Sequence, residues 1–376
     1  MHSDGGPIVF VHSSDEHYGA DRILLDIEAA LPADWRPRAE FWLPTDMPHG
    51  SRPLCHELER RGARVRHVDL PVLRRAYLRP RGLVGLSRRL LALHRELRAQ
   101  RPDVVYCTTS AMFLVAPIAR RAGARVIGHV QEIWGPTETR VLGPMANRLH
   151  QVIAISGAVR DSLPAPVRQR TVVVLNATPE PPSSRPLTEH DGPLRFLVAS
   201  RWNAWKGHRT LLEAWDRLDH PGRLVVLGAA PSSGGSVDVP ALVRELRFPE
   251  SVEVVGEVDD AGTWIEGADV VVMPSDNPEP FGLVAVEAFA RGRPVLASDG
   301  GGLSDIVSDG EDGWLFTRRD PEALAEVLTG LTRASVATAG AAARQSYEQR
   351  FTADRYAEDW RRACVEGGIS DTLPSR

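Results

Sequence analysis

The amino-acid sequence predicts an α/β protein made of two successive parallel sheets. Thirteen short apolar runs alternate with helical stretches in two series, and the Pro-rich segment Thr178 to Pro186 separates the series. At 376 residues and 43% hydrophobic, the chain has enough apolar material for two cores of roughly 150 to 200 residues each.

In the first series the runs are Ile8 to His12, Arg38 to Leu43, Arg64 to Val68, Val104 to Cys107, Arg125 to His129, Val152 to Ile155 and Thr171 to Leu175. In the second they are Leu194 to Ala199, Arg223 to Leu227, Val252 to Val255, Val270 to Met273, Pro294 to Ala297 and Gly313 to Phe316. Short, nearly continuous apolar runs suit strands covered by helices on both faces. A helix over Thr210 to Leu218 follows the first strand of the second series, and Leu283 to Arg291 carries helical apolar spacing up to the stop at Gly292. Phe351 to Cys364 places Tyr356 and Trp360 at helical spacing, and residues after about Gly367 read as a disordered tail. Ligands of parallel sheets bind beyond the carboxyl ends of the strands, so a site in a cleft between the two domains is expected.

Composition narrows the function classes. The formal net charge is −4, and the basic stretch in the first half lacks an aromatic platform, which argues against nucleic-acid binding. Ile8 to Gly19 contains no Gly-x-Gly-x-x-Gly fingerprint, which disfavours a nicotinamide enzyme. Cys55, Cys107 and Cys364 show neither metal-like nor Cys-x-x-Cys spacing and read as core residues in a reducing compartment. No apolar run reaches the roughly 18 to 20 residues of a spanning helix, and the N-terminus has no signal-peptide pattern, so a cytoplasmic location is expected. Residues 1–180 carry 25 Arg against 18 Asp plus Glu, whereas 181–376 carry 20 Lys plus Arg against 31 Asp plus Glu. The positive excess concentrates from Arg74 to Arg101, interleaved with Leu and Val. That stretch reads either as peripheral contact with an anionic membrane or acceptor, or as a solvated helix face.

The most informative segment is Glu279-Pro280-Phe281-Gly282-Leu283-Val284-Ala285-Val286-Glu287. It follows the strand Val270 to Met273 and Pro274, so Glu279 falls in a strand-to-helix loop and Glu287 about two turns inside the helix. The N–H groups of Phe281, Gly282 and Leu283 open that helix, offering backbone donors for an anion beside a carboxylate for hydroxyls. A phosphorylated sugar suits that combination. Lys206 is the one lysine in a chain with 44 arginines, and it stands in Ser200-Arg201-Trp202-Asn203-Ala204-Trp205-Lys206-Gly207-His208, directly after a strand. The planar fork of Arg201 and the point charge of Lys206 together suit the oxygens of a diphosphate. Trp202 and Trp205 flank the pair, either as walls of the pocket or as packing.

These motifs resemble family 4 glycosyltransferases of the GT-B fold, whose Glu-x7-Glu element is matched by Glu279 and Glu287. The resemblance extends to Arg201 and Lys206, to Ser298-Asp299-Gly300-Gly301-Gly302-Leu303-Ser304-Asp305-Ile306-Val307, to Asp309-Gly310-Glu311-Asp312-Gly313-Trp314-Leu315, and to Tyr18-Gly19-Ala20-Asp21 near the N-terminus. Tyr18 replaces the first Gly of the family's Gly-Gly-Ala-Glu, Asp21 replaces its Glu, and Asp305 stands where Glu is frequent.

The resemblance implies two Rossmann-like α/β domains facing across a cleft. These are an acceptor-side domain over 1–180, a nucleotide-sugar domain over 187–350, and a last helix over 351–366 crossing back to the first. It also implies retaining transfer of a sugar from a nucleoside diphosphate sugar, with no cofactor and no metal; the sequence has no Asp-x-Asp motif. In that reading Arg201 and Lys206 hold the diphosphate, Glu279 contacts donor-sugar hydroxyls and Glu287 binds the ribose. Backbone at Phe281, Gly282 and Leu283 completes the sugar pocket, Gly19 lets backbone approach the phosphates, Asp305 contacts the nucleotide, and His129 touches the donor sugar or reacting centre. The acceptor would be a glycan, a lipid-linked sugar or a small molecule. Another GT-B enzyme, an epimerase or a sugar phosphorylase, and a non-catalytic sugar-nucleotide binder remain alternatives.

Overall fold

All thirteen apolar runs form strands in the computed structural model, which describes residues 6–16, 19–46, 52–74, 80–182, 187, 192–220, 222–231 and 235–370. The chain divides into two units, 1–175 with 354–376, and 176–353. Tyr18, Arg75, Arg79, residues 183–186 of the Pro-rich segment and the last six residues lie outside the described residues.

The first unit contains β1 (Ile8–Val11), β2 (Ala39–Pro44), β3 (Val65–Val68), β4 (Val104–Cys107), β5 (Arg125–Val130), β6 (Gln151–Ala154) and β7 (Thr171–Val173), in spatial order β3-β2-β1-β4-β5-β6-β7. The second contains β8 (Arg195–Ala199), β9 (Arg223–Leu227), β10 (Val252–Gly256), β11 (Val270–Met273), β12 (Val295–Ser298) and β13 (Gly313–Phe316), ordered β10-β9-β8-β11-β12-β13. Every strand pairing in both sheets is parallel. Each order reverses once, between β1 and β4 in one sheet and between β8 and β11 in the other. Crossover helices leaving in opposite directions open a crevice at such a reversal, beyond the carboxyl ends of the strands.

Burial on both faces explains the continuous apolar runs. Residues 8–11 and 104–107 are buried throughout, as are all four of β11. In the second unit Phe196, Trp215, Leu224, Val226, Val272 and Leu296 share one core, with Phe196 edge-on to Trp215 at 5.4 Å between centroids. The helix expected from Thr210 instead runs His208–Trp215. Gly207 at φ 73° starts it early, and Asp216 ends it.

The helix Ala353–Glu366 lies with the first unit from Asp354 onward. Its Trp360 is fully buried, with ring centroids 5.9 Å from both Trp35 and Tyr106 and 6.3 Å from Phe10. Its indole N–H donates to the Tyr106 hydroxyl at 3.0 Å. Of the disordered tail expected after about Gly367, residues 368–370 are corrected by the structure, since Arg125 Nε donates to the Gly367 carbonyl at 2.8 Å and Ile369 is 1% exposed; residues 371–376 lie outside the described residues. One apolar side chain and one captured carbonyl suffice to fix this stretch, a signal too short for periodicity to show.

The basic stretch forms the helix Pro80–Gln100 for most of its length. Two of its arginines are engaged internally: Arg74 pairs with Asp46 at 3.0 Å, and Arg89 pairs with Asp69 at 2.9 Å. No helix among the described residues is long and apolar enough to cross a membrane.

Candidate active site

β8 and β11 are neighbours at the reversal of the second sheet, and the two loops leaving them carry Lys206 and Glu279. After β8 the chain passes through Arg201, makes a short 3-10 turn over Ala204–Lys206 and enters its helix at Gly207. Any side chain at Gly207 is excluded twice: φ is +73°, and a Cβ would stand 1.7 Å from the Pro274 carbonyl oxygen. That close approach presses the two loops together. The Asp276 N–H donates to the Trp205 carbonyl at 2.8 Å, and the Thr210 hydroxyl donates to Asp276 Oδ1 at 2.8 Å.

Lys206 Nζ donates to Glu279 Oε1 at 2.6 Å, and the Ser275 hydroxyl donates to the same oxygen at 2.5 Å. The ammonium also lies 4.4 Å from the centroid of the Trp205 ring. The side chains of Lys206 and Glu279 are 18% and 8% exposed, so the pair is largely withdrawn from water. The Glu279 carbonyl accepts from the Gly302 N–H at 2.7 Å, tying the loop to the Gly-rich segment after β12. Gly301 is required there, because at φ +69° its Cβ would fall 2.4 Å from that carbonyl oxygen.

Gly282 caps the helix Leu283–Ala290. Among the described residues, the N–H groups of Phe281, Gly282 and Leu283 enter no hydrogen bond. Phe281 is buried edge-on to Phe351 at 6.5 Å, Leu283 is half-buried, and Glu287 is half-buried on the helix with its carbonyl accepting from Arg291 Nη1 at 3.1 Å. Arg201 is exposed and makes no ion pair among the described residues. Asp305 is half-buried in Leu303–Ile306, its carbonyl held by the Arg350 guanidinium. Arg201, Lys206, Glu279, Phe281, Gly282, Leu283, Glu287 and Asp305 thus all belong to the second unit. Lys206 and Glu279 are in direct contact.

His208 follows the cation pair and is 1% exposed. Burial first, and then the charge of Lys206, push its imidazole down to about 4, so it is neutral and leaves Lys206 and Arg201 as the cations of the loop.

Gly19 and His129 belong to the first unit. Gly19 opens the helix Gly19–Ala30, and a Cβ on it would meet none of the described residues within 4 Å. Asp21 in the first turn of this helix is 1% exposed and accepts from Ser14 and His12, the latter at 3.0 Å from Nε2. His12 Nδ1 lies 2.6 Å from Thr108 Oγ1, joining the ends of β1 and β4 at the reversal of the first sheet.

His129 on β5 has no exposed surface; its Nδ1 lies 3.2 Å from the Tyr106 hydroxyl, and its buried Nε2 has no partner among the described residues. Burial pushes its pKa down to about 3. Because the folded value lies below the ordinary value of about 6.5, the neutral ring contributes fully above that pH. Stability is then lost as pH falls from about 6.5 towards 3, by roughly 1 to 1.5 kcal/mol per pH unit. Melting of the wild type should drop more steeply between pH 7 and 5 than that of His129→Gln; equal slopes would show that His129 does not carry the dependence.

Sequence reasoning missed Ser275, Asp276 and Thr210. Ser275 precedes Glu279 by four residues in the same loop, and a hydroxyl directly after a strand-ending Pro was the available signal. Trp205 is now assigned to the ammonium it covers.

Two family models match this chain: "Glycosyl transferase 4-like domain" over residues 19–199 and "Glycosyl transferases group 1" over residues 193–333. Among curated proteins, a D-inositol 3-phosphate glycosyltransferase of Xylanimonas cellulosilytica is 41% identical over 144 residues, 38% of this chain and 34% of its own. The protein of the same description from Streptomyces avermitilis is 55% identical over 144 residues, 35% of this chain and 31% of its own. The matched stretch therefore spans about a third of the length of these relatives. Among solved structures, Anabaena HepE in complex with UDP and glucose superposes with TM-score 0.74 at 23% identity, covering 96% of this chain and 99% of that one. The lipopolysaccharide outer core galactosyltransferase WaaB gives 0.75 at 17% identity over 96% and 99%. At those identities the likeness concerns the fold, two parallel α/β sheets of the same kind. With both halves matched in sequence and the architecture matched in space, the chain belongs to the family 4 glycosyltransferases of the GT-B fold.

Proposed function

We propose that this protein transfers a sugar from a nucleoside diphosphate sugar to a hydroxyl acceptor, with retention at the anomeric carbon and without a divalent metal in the donor site. The observation that carries the reading is the Lys206–Glu279 contact beside exposed Arg201, at the reversal of the second sheet. In this reading Arg201 and Lys206 take the diphosphate oxygens and stabilise the charge that develops as the donor bond breaks. Glu279, already oriented by Ser275, receives donor hydroxyls, and the N–H groups of Phe281 and Gly282 complete the sugar pocket. Glu287 binds the ribose, Asp305 contacts the nucleotide, and Gly19 lets backbone approach the phosphates. The acceptor approaches on the face the leaving phosphate occupies, and a phosphate oxygen takes the acceptor proton, so no protein nucleophile is needed. His129, in the first unit, is neutral and has no exposed surface, and no proton transfer is assigned to it in this reading.

HepE was solved with UDP-glucose, and relatives are named for inositol phosphate and phosphatidylinositol acceptors, which favours a uridine donor and a phosphorylated or lipid-linked acceptor. A peripheral membrane location is part of the reading. The helix Pro80–Gln100 exposes Val84 at 58% and Leu91 at 57%, with Arg88, Arg95 and Arg98 exposed at helical spacing. Cosedimentation with anionic against neutral vesicles separates this role from a merely solvated face.

The direct test is a thermal-shift screen of UDP, GDP, dTDP and ADP with their sugar conjugates, with and without EDTA, followed by acceptor-dependent release of nucleoside diphosphate. One nucleotide should raise Tm in EDTA and lose that effect in Arg201→Ala. A nucleotide shift that requires added Mg2+ or Mn2+ would defeat the metal-free donor site. Nucleoside diphosphate release that needs no acceptor would favour an epimerase.

A further inference from the structure

Three segments distant in sequence converge in the first unit on Asp15, Cys55 and His67. Asp15 lies in the loop after β1, Cys55 in the first turn of the helix Pro53–Arg60, and His67 on β3. One carboxylate oxygen, the Cys55 Sγ and one imidazole nitrogen all lie within 4.8 Å of one another, and no other such group occurs among the described residues. Asp15 Oδ2 stands 2.9 Å from His67 Nε2, while Oδ1 accepts the Cys55 N–H at 2.9 Å. Asp15 and Cys55 are 4% and 5% exposed, and His67 is half-buried at the rim. Glu59, one helical turn beyond Cys55 on the same helix, is exposed and stands outside the cluster. None of these groups belongs to the proposed donor site.

A thiol, an imidazole and a carboxylate form a mixed sulfur, nitrogen and oxygen donor set. Ca2+ and Mg2+ select oxygen alone, whereas borderline-soft Zn2+ takes all three donor types in a tetrahedral shell. Metal–ligand distances of about 2.0 to 2.3 Å put tetrahedral ligand atoms roughly 3.3 to 3.8 Å apart, so small side-chain rotations close this cluster onto one ion.

We propose that Asp15, Cys55 and His67 form a three-ligand Zn2+ site in the first unit, with the fourth position taken by solvent. Cys55 gives up its thiol proton to solvent on coordination, His67 ligates as a neutral ring through Nε2, and no redox step is involved. The ion would tie the segment leaving β1 to the helix Pro53–Arg60 and to β3, fixing the approach to Gly19.

The test uses the full chain, stripped of metal by chelation and titrated with Co2+ and then Zn2+. The expected result is one equivalent of Co2+ with tetrahedral d–d absorption and a sulfur-to-cobalt charge-transfer band, and a Tm that rises with Zn2+. Cys55→Ser should lose the charge-transfer band. His67→Gln, at the rim and tolerant of change, should weaken Zn2+ by at least the 10- to 100-fold typical of losing a mere outer-shell partner. No charge-transfer band at saturating Co2+, or Zn2+ affinity equal in the wild type and both variants, would overturn the proposal and leave an ordinary Asp15–His67 ion pair. Neither outcome bears on the donor site, whose readout is the nucleotide-dependent shift.

Discussion

Lys206→Ala is expected to slow sugar transfer by tenfold to a hundredfold or more while also destabilising the second unit. A charge-assisted contact to the diphosphate is worth about 1.5 to 3 kcal/mol, and each 1.36 kcal/mol is a factor of ten in rate. The structural effect has a separate origin. Glu279 is 6% exposed and would keep, among the described residues, only Ser275 as a side-chain partner, and stranding one member of a buried pair costs about 3 to 5 kcal/mol; the 18% exposure of the Lys206 side chain puts the cost at or below the lower end of that range. The two effects separate in a double variant. Lys206→Met with Glu279→Gln removes both charges and should recover most of the melting temperature without recovering transfer. If Lys206→Ala turned over at the wild-type rate, the diphosphate role would be wrong. If the double variant regained activity, the pair would be structural and the catalytic cation would have to be Arg201.

Trp360→Ala should destabilise the first unit by about 3 to 5 kcal/mol, the usual range for deleting a fully buried Trp. The indole fills the space bounded by Phe10, Trp35 and Tyr106, and no main-chain adjustment of a packed helix closes a void that large. Trp360→Phe keeps most of the apolar volume but leaves the Tyr106 hydroxyl without its donor, a smaller cost of about 1 to 3 kcal/mol. Denaturant unfolding with a fluorescence probe in each unit would read both. A Trp360→Ala variant as stable as Trp360→Phe would show that the cavity collapses and that the hydrogen bond dominates.

What was legible in the sequence was local. Residues Val270–Met273 announce a buried strand by β-branching alone, and Glu279 with Gly282 announces a strand-to-helix loop, because both signals sit within ten residues. Lys206 stood out through composition. The contact between Lys206 and Glu279 spans 73 positions and follows from the strand order β8-β11, which no periodicity encodes. The cluster at Asp15, Cys55 and His67 was illegible for the same reason: its spacing resembles no metal motif, and only the order β3-β2-β1 makes its members neighbours. The burial of His129 was half legible, since a strand covered on both faces hides every residue it carries, its histidine included.

The return of the C-terminal helix to the first unit sets the order in which the two units can mature during synthesis. The second unit is a continuous stretch, 176–353, whereas the first is interrupted and lacks Trp360 until the second has been synthesised. Nascent chains ordinarily consolidate from the N-terminus onward. Here the later-made unit can be complete while the earlier one still presents Phe10, Trp35 and Tyr106 to whatever surrounds it. Released chains ending at residue 353 should therefore show a protease-resistant second unit and a digestible first. Resistance of both would mean that the first sheet closes without its tryptophan.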